Sequence, residues 1–97
     1  MANICENSLY VTSDNPENIK TVDNFFSEIP YADIIADWEE EREVYFGSKW
    51  TFPEELMQEL YDKIPDKEDI YMRCLSVEYG NLYHALWVCD KNGWREV

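Results

Sequence analysis

The chain has 97 residues, 45% of them hydrophobic and 15% aromatic, and 21 Asp and Glu against eight Lys and Arg give a net charge of −13. This length leaves room for one core, so we predict a single domain over residues 1–97, and the apolar content excludes a disordered chain. The charge argues against direct binding of nucleic acid or anionic lipid, because such binders need cations to replace the counterions of the phosphates.

The cellular setting is indicated by what the sequence lacks. No apolar run approaches the roughly 20 residues of a transmembrane helix, and the N-terminus has no basic region followed by an apolar stretch. Cys5, Cys74 and Cys89 are odd in number and have no CxxC spacing. We therefore expect reduced, mostly buried thiols rather than disulfides or a zinc site, and a cytoplasmic protein.

The first half of the chain contains one clear strand, one clear helix and an ambiguous segment. Apolar and polar residues alternate over residues 5–12, which predicts a half-buried strand. Asn15 as N-cap and Pro16 at the first helical position then begin a helix that Pro30 ends. Its buried face carries apolar residues at steps of three and four, namely Ile19, Val22, Phe26 and Ile29. Between Tyr31 and Glu43 a short helix or irregular excursion is favoured over a strand.

The second half is predicted to contain one helix and four strands. Residues 44–50 form a strand with Val44, Phe46, Ser48 and Trp50 facing one way. Thr51 and Glu54 then fit the capping box of a helix with Pro53 in its first turn. The buried face of this helix carries Leu56, Met57, Leu60, Tyr61 and Ile64. After a charged loop at 66–69, strands follow over 70–79 and 82–89, and Gly93 in a left-handed turn precedes a short strand over 94–97.

This order of elements predicts the fold class. A strand, helix, strand, helix, strand, strand sequence is that of the ferredoxin-like split βαβ sandwich. We expect an α+β domain in which two helices cover one face of a mainly antiparallel sheet, and the other face stays partly open.

Several short motifs carry a resemblance to a known family. Residues 3–11, Asn-Ile-Cys-Glu-Asn-Ser-Leu-Tyr-Val, resemble the opening of the YubB-type ferredoxin-like family of small phage and plasmid proteins, which typically begins Asn-Trp-Cys-Glu-Asn. Residues 42–50, which end Gly-Ser-Lys-Trp, are similar to that family's Trp-Gly-Thr-Lys-Trp stretch, although Ile4 and Phe46 stand where the family usually has Trp. The helix near Pro53 and the closing hairpins also fit in order. The resemblance implies a ferredoxin-like fold and a mobile-element origin in a bacterial host, and it implies no catalytic residue.

Catalytic and metal-binding chemistry has little support in the sequence. Asp66, Glu68 and Asp69 lack the remaining pattern of a calcium loop, so a solvated loop is the preferred interpretation. Cys5 and His84 could be imagined as a nucleophile and base, but their spacing does not indicate it. We expect no enzymatic activity, no cofactor and no metal.

Aromatic residues on an open sheet face would resemble an RNA-stacking platform. The candidates are Tyr71, Tyr79, Tyr83 and Trp87. The charge argues against RNA, so packing or a protein contact is the preferred interpretation of these residues.

The most distinctive stretch is residues 37–52, in which five carboxylates precede an aromatic run. If the stretch is extended, Glu39, Glu41 and Glu43 lie on one side at intervals of about 6.7 Å. If it is helical, Glu39, Glu40 and Glu43 share one face about 5 to 6 Å apart. Every second phosphate of a nucleic-acid strand is spaced by about 6.8 Å, so such a row could mimic a phosphate backbone. The carboxylates predicted to contact a partner are Asp37, Glu39, Glu40, Glu41, Glu43, Glu54, Glu55, Glu59, Asp62, Asp66, Glu68 and Asp69.

These observations predict a non-enzymatic acidic protein that engages a basic surface of a host protein. The hypothesised target is a nucleic-acid-binding defence protein, such as a restriction enzyme or a CRISPR effector, inhibited by nucleic-acid mimicry. One alternative is a general protein-interaction module that uses the open sheet face through Tyr79 and Trp87. A second is a small enzyme with a pocket at His84, and acidity that serves only solubility is the simplest alternative.

Overall fold

The computed structural model describes residues 4–97, except for the side chain of Asp37. The elements are β1 (Ile4–Thr12), α1 (Pro16–Ser27), β2 (Asp33–Trp38), β3 (Glu41–Lys49), α2 (Glu54–Lys63), β4 (Tyr71–Glu78), β5 (Tyr83–Asp90) and β6 (Gly93–Glu96). A single 3-10 turn, Lys67–Asp69, precedes β4. Within the described residues, no helix has the length and apolarity to cross a bilayer.

The six strands form one open sheet in the order β2-β3-β1-β4-β5-β6, and every neighbouring pair is antiparallel. The α+β class and the antiparallel sheet are therefore confirmed, but the ferredoxin-like topology is wrong. In a split βαβ unit, the strand after the helix runs parallel to the first strand. Here the chain makes the hairpin β2-β3 after α1, and this extra reversal makes β3 antiparallel to its neighbour β1.

The segment from Tyr31 to Glu43, expected as a short helix or irregular excursion, instead forms β2 and the start of β3. Ile34 pairs with Val44, and the register shifts between Ile35 and Trp38. This irregularity breaks the two-residue alternation that would have marked a strand. The helix propensity of the glutamates is overridden because the segment pairs along β3 and Ile34 packs against the buried core.

The two helices begin differently. The side-chain oxygen of Asn15 accepts a hydrogen bond from the amide of Glu17, so the expected N-cap of α1 is confirmed. The prediction that Thr51 and Glu54 form a capping box for α2 is wrong, since the N-cap is Pro53 and no side chain caps the helix. The chain leaves β3 through Trp50, which has a φ of 69°, and the Thr51 hydroxyl donates to the carbonyl of Phe52 instead.

Both helices pack on the same side of the sheet, which we call the helix side. The buried cluster there joins residues of α1 and α2 to alternate residues of β1, β3, β4 and β5. The rings of Phe26 and Phe46 lie 5.1 Å apart in it. The opposite side, the open face, carries the intervening residues of the strands. Gly93, the first residue of β6, has a φ of 92°, which confirms its expected left-handed conformation.

Candidate partner-binding surfaces

The turn between β1 and α1 is the point where three acidic segments of the chain meet. The amide of Ser13 donates to the carbonyl of Glu40 in the β2-β3 turn at 3.1 Å. The hydroxyl of Ser13 donates to the carbonyl of Asp69, in the segment between α2 and β4. The amide of Asp14 donates to a carboxylate oxygen of Asp69 at 3.4 Å. Segments far apart in the sequence are thus joined through one buried serine.

Asn18, in the first turn of α1, fixes this junction. Its side chain is fully buried, and Nδ2 donates to the carbonyls of Asp66 and Asp69 at 2.8 and 2.9 Å. Its Oδ1 accepts from the amide of Asp66 at 3.0 Å. Sequence reasoning missed this residue. The available signal was a polar side chain beside Ile19 on the apolar stripe of a helix, where only a satisfied amide is tolerated.

A second anchor holds the β2-β3 turn. The guanidinium of Arg42 contacts both carboxylate oxygens of Asp23 on α1, with Nε 2.9 Å from one and Nη2 3.2 Å from the other. Arg42 Nη1 also donates to the carbonyls of Trp38 and Glu41, at 2.8 and 2.7 Å. Because this bidentate pair closes the turn onto α1, the position of Glu39 and Glu40 beside the start of the helix is fixed.

We call the resulting surface the acidic end: Asp14, Glu39, Glu40, Asp66, Glu68 and Asp69. Of these, Asp14, Glu39, Glu40 and Glu68 are exposed. Among the described residues, ion pairs join only Asp23 to Arg42 and Asp90 to Arg95. The carboxylates of the acidic end therefore keep their charge uncompensated by a contacting cation, in a part of the molecule held by buried hydrogen bonds.

The structure separates the other predicted acids from the acidic end. Glu41 and Glu43 lie on the open face, where they accept hydrogen bonds from the hydroxyls of Tyr10 and Tyr45 at 2.9 and 3.1 Å. Glu39 lies in the turn between β2 and β3, so neither the extended row of Glu39, Glu41 and Glu43 nor the helical alternative is formed. The exposed acids of α2 are Glu54, Glu55, Glu59 and Asp62. The side chain of Asp37 lies outside the described part of the chain.

The acids of α2 border a groove with an aromatic floor. Phe52 and Trp87 stack with centroids 4.4 Å apart and planes within 3°, and Trp94 meets Phe52 edge-on at 5.4 Å. The indole of Trp94 donates to the carbonyl of Met57, which fixes its ring against α2. The groove has a volume of about 510 Å³ and is lined by Phe52, Glu54, Glu55, Gln58, Glu59, Asp62, Trp87 and Trp94.

Two of the four aromatic residues expected on the open face lie on the helix side instead. Trp87 pairs with buried Cys74 and Tyr83 pairs with buried Glu78, so both side chains lie on the helix side. Of the expected set, Tyr71 faces the open side, while Tyr79 is exposed beyond the end of β4. The assignment failed because the residues of β5 alternate only weakly in polarity, and its register is determined by β4.

The open face nevertheless exposes large apolar side chains from five adjacent strands. The most accessible are Ile4, Ile35, Trp38, Tyr45, Leu75 and Leu86. Leu75 and Leu86 are direct cross-strand neighbours, and the guanidinium of Arg73 lies 4.4 Å from the ring centroid of Tyr10 beside them. Tyr45, Leu75 and Leu86 line one shallow depression of this face, and a shared apolar surface of this kind is typical of a contact surface rather than of isolated surface residues.

The groups considered for catalysis do not meet. Cys5 is buried on the helix side, whereas His84 is exposed and lies on the open face opposite Val77. Burial raises the pKa of the Cys5 thiol, and it raises the pKa of Cys74 and of Cys89 to about 12. Among the described residues, no group of three His, Cys, Asp or Glu is arranged to hold a metal ion.

Comparison with known proteins provides no assignment. No family model, no curated protein and no solved structure matches this chain.

Proposed function

We propose that the protein is a non-enzymatic binding protein whose acidic end engages a basic surface on another protein. The observation that carries the proposal is the convergence of three carboxylate-bearing segments around Ser13. A rigid, uncompensated patch of negative charge attracts a cationic surface and accelerates encounter with it. The net charge of −13 adds a long-range attraction toward the same cationic surface.

The proposed partner is a nucleic-acid-binding defence protein of a bacterial host, such as a restriction enzyme or a CRISPR effector, inhibited by nucleic-acid mimicry. Such a protein presents the clustered Lys and Arg that neutralise phosphates, and clustered carboxylates can occupy the same positions. The resemblance of residues 3–11 and 42–50 to the YubB-type family of phage and plasmid proteins supports a host of this kind.

Capture from a bacterial lysate tests this function. Immobilised protein is incubated with lysate at about 50 and about 500 mM NaCl, with and without excess duplex DNA or RNA. We expect capture of a nucleic-acid-binding protein that is lost at high salt and displaced by nucleic acid. The acidic-end variant Glu39→Gln/Glu40→Gln is expected to capture much less of this partner.

The matched control for this experiment is Glu6→Gln/Asp33→Asn. It removes two charges from exposed positions on the open face, at the end of the sheet away from Ser13. The control is expected to retain capture. Equal loss in both variants, or a partner that binds the protein and nucleic acid together, would contradict the proposal.

The open face is the basis of a second candidate function, a general protein-interaction module. The observation that favours it is the cluster of exposed apolar residues centred on Leu75 and Leu86. In that case Leu75→Thr/Leu86→Thr would abolish capture, whereas Glu39→Gln/Glu40→Gln would leave it intact and salt would have little effect. Since Trp87 lies on the helix side, its replacement does not test this face.

A further inference from the structure

We infer that the groove between α2 and strands β5 and β6 is a binding site for an arginine side chain of a protein or peptide. The groove lies outside the acidic end, so this site is additional to the proposed function. Its two components are an aromatic floor and a carboxylate wall.

The floor consists of rings held in fixed positions. Phe52, in the loop that connects β3 to α2, is buried, and its ring is stacked on that of Trp87. Trp94 is held by its hydrogen bond to Met57 and stands edge-on to Phe52. Indole rings are the best aromatic partners of cations, and a planar guanidinium can also stack on them.

The wall supplies charge that the described structure leaves unpaired. Glu54, Glu55, Glu59 and Asp62 line the same groove, and none of them forms an ion pair among the described residues. The wall carries no lysine or arginine. An apolar floor alone would accept any hydrophobic group, but aromatic rings together with carboxylates favour an apolar stem that ends in a cation.

The guanidinium of arginine fits this combination better than other ligand classes. Anions are excluded by the carboxylates, and a neutral apolar ligand would leave these charges partly desolvated without a partner. The guanidinium can stack on a ring while its N–H groups donate to carboxylates in a bidentate manner.

Titration with a pair of matched peptides tests the site. The probes are acetyl-Gly-Arg-Gly-Arg-Gly-amide and the same peptide with citrulline, the neutral isostere, in place of arginine. The indole N–H signals of the full-length protein are followed by NMR. We expect saturable shifts of Trp87 and Trp94 with the arginine peptide, and none with the citrulline peptide. Trp38 and Trp50 do not line the groove, so they are internal controls whose signals should shift less than those of Trp87 and Trp94.

Charge variants complete the test. Glu55→Gln/Glu59→Gln should weaken arginine-peptide binding by at least about threefold, while Glu6→Gln/Asp33→Asn should leave it unchanged. Equal shifts of all four tryptophans, equal weakening by both variants, or equal binding of the citrulline peptide would overturn the inference. This test measures peptide binding beside α2 through the signals of Trp87 and Trp94. Its outcome is therefore independent of whether the acidic end captures a protein.

Discussion

Asn18 is the residue that most directly holds the acidic end together. It is fully buried and its amide bonds to Ser13, Asp66 and Asp69. Asn18→Ala removes these bonds and leaves buried backbone groups unsatisfied, so we expect the free energy of unfolding to fall by about 2 to 3 kcal/mol. Urea denaturation measures this change. Asn24→Ala, at an exposed position of the same helix, should change it by less than about 0.5 kcal/mol.

The same substitution has a consequence at the surface. Without the Asn18 amide, the turn that carries Asp66 and Asp69 loses three hydrogen bonds to α1 and keeps only the bond from the N-cap Asn15 to Asp66. A loss of stability in Asn18→Ala no greater than that in Asn24→Ala would show that the junction is not held as described.

The buried thiols predict a pH dependence at the residue scale. The pKa of Cys74 and of Cys89 is raised to about 12 from 9.0 by burial, so the folded state retains protons that the unfolded chain releases. The free energy of unfolding should therefore fall as pH rises from about 9 to about 12, by up to about 1.4 kcal/mol per pH unit for each thiol. In denaturation measured at a series of pH values, the free energy of unfolding should fall less steeply with pH in Cys74→Ala/Cys89→Ala than in the wild-type protein. An unchanged slope would contradict the assignment.

At the scale of elements, Leu86 and Trp87 test the two faces of the sheet. They are neighbours in β5, but Trp87 packs against Phe52 on the helix side, whereas Leu86 lies on the open face. Trp87→Ala should lower the free energy of unfolding by about 3 kcal/mol. Leu86→Thr places a β-branched residue, which strands favour, at a partly exposed position and should cost about 1 kcal/mol or less. Comparable losses in urea denaturation would mean that the open face is covered in solution.

The elements differ in how far the sequence predicts them. β1 was predicted as a half-buried strand because Leu9 and Val11 fall on alternate positions, and these positions are buried in the structure. β4 was predicted as a strand without an assigned buried face, since Leu75 is exposed while its polar neighbour Ser76 is buried. β2 was missed since the irregularity between Ile35 and Trp38 removes that alternation, and the reversed direction of β3 follows from β2. The topology therefore depended on the one segment whose local pattern was ambiguous.

The acidic end, like β2, could not be predicted from local sequence patterns alone. Composition identified the carboxylates, but their convergence depends on hydrogen bonds such as that of Ser13 to Asp69, 56 positions away. No local pattern contains that information. The groove of α2 was missed for a related reason, because its floor combines Phe52 with residues of β5 and β6 that meet only in the folded sheet.

At the scale of the whole molecule, a net charge of −13 on 97 residues produces repulsion within the folded state. Salt screens this repulsion, so we expect the melting temperature to rise between about 10 and about 500 mM NaCl by several degrees, equivalent to about 1 kcal/mol. Calorimetry measures the shift. The rise should be smaller in Glu39→Gln/Glu40→Gln, and a melting temperature that falls with NaCl would contradict this electrostatic description.

The most direct test of the acidic end as a binding surface is the salt dependence of affinity for the captured partner. Affinity is measured at a series of NaCl concentrations for the wild-type protein, for Glu39→Gln/Glu40→Gln and for the control Glu6→Gln/Asp33→Asn. We predict a steep loss of affinity with salt for the wild type and the control, and a clearly shallower dependence for Glu39→Gln/Glu40→Gln. The same slope in all three proteins would show that contact is made elsewhere on the molecule.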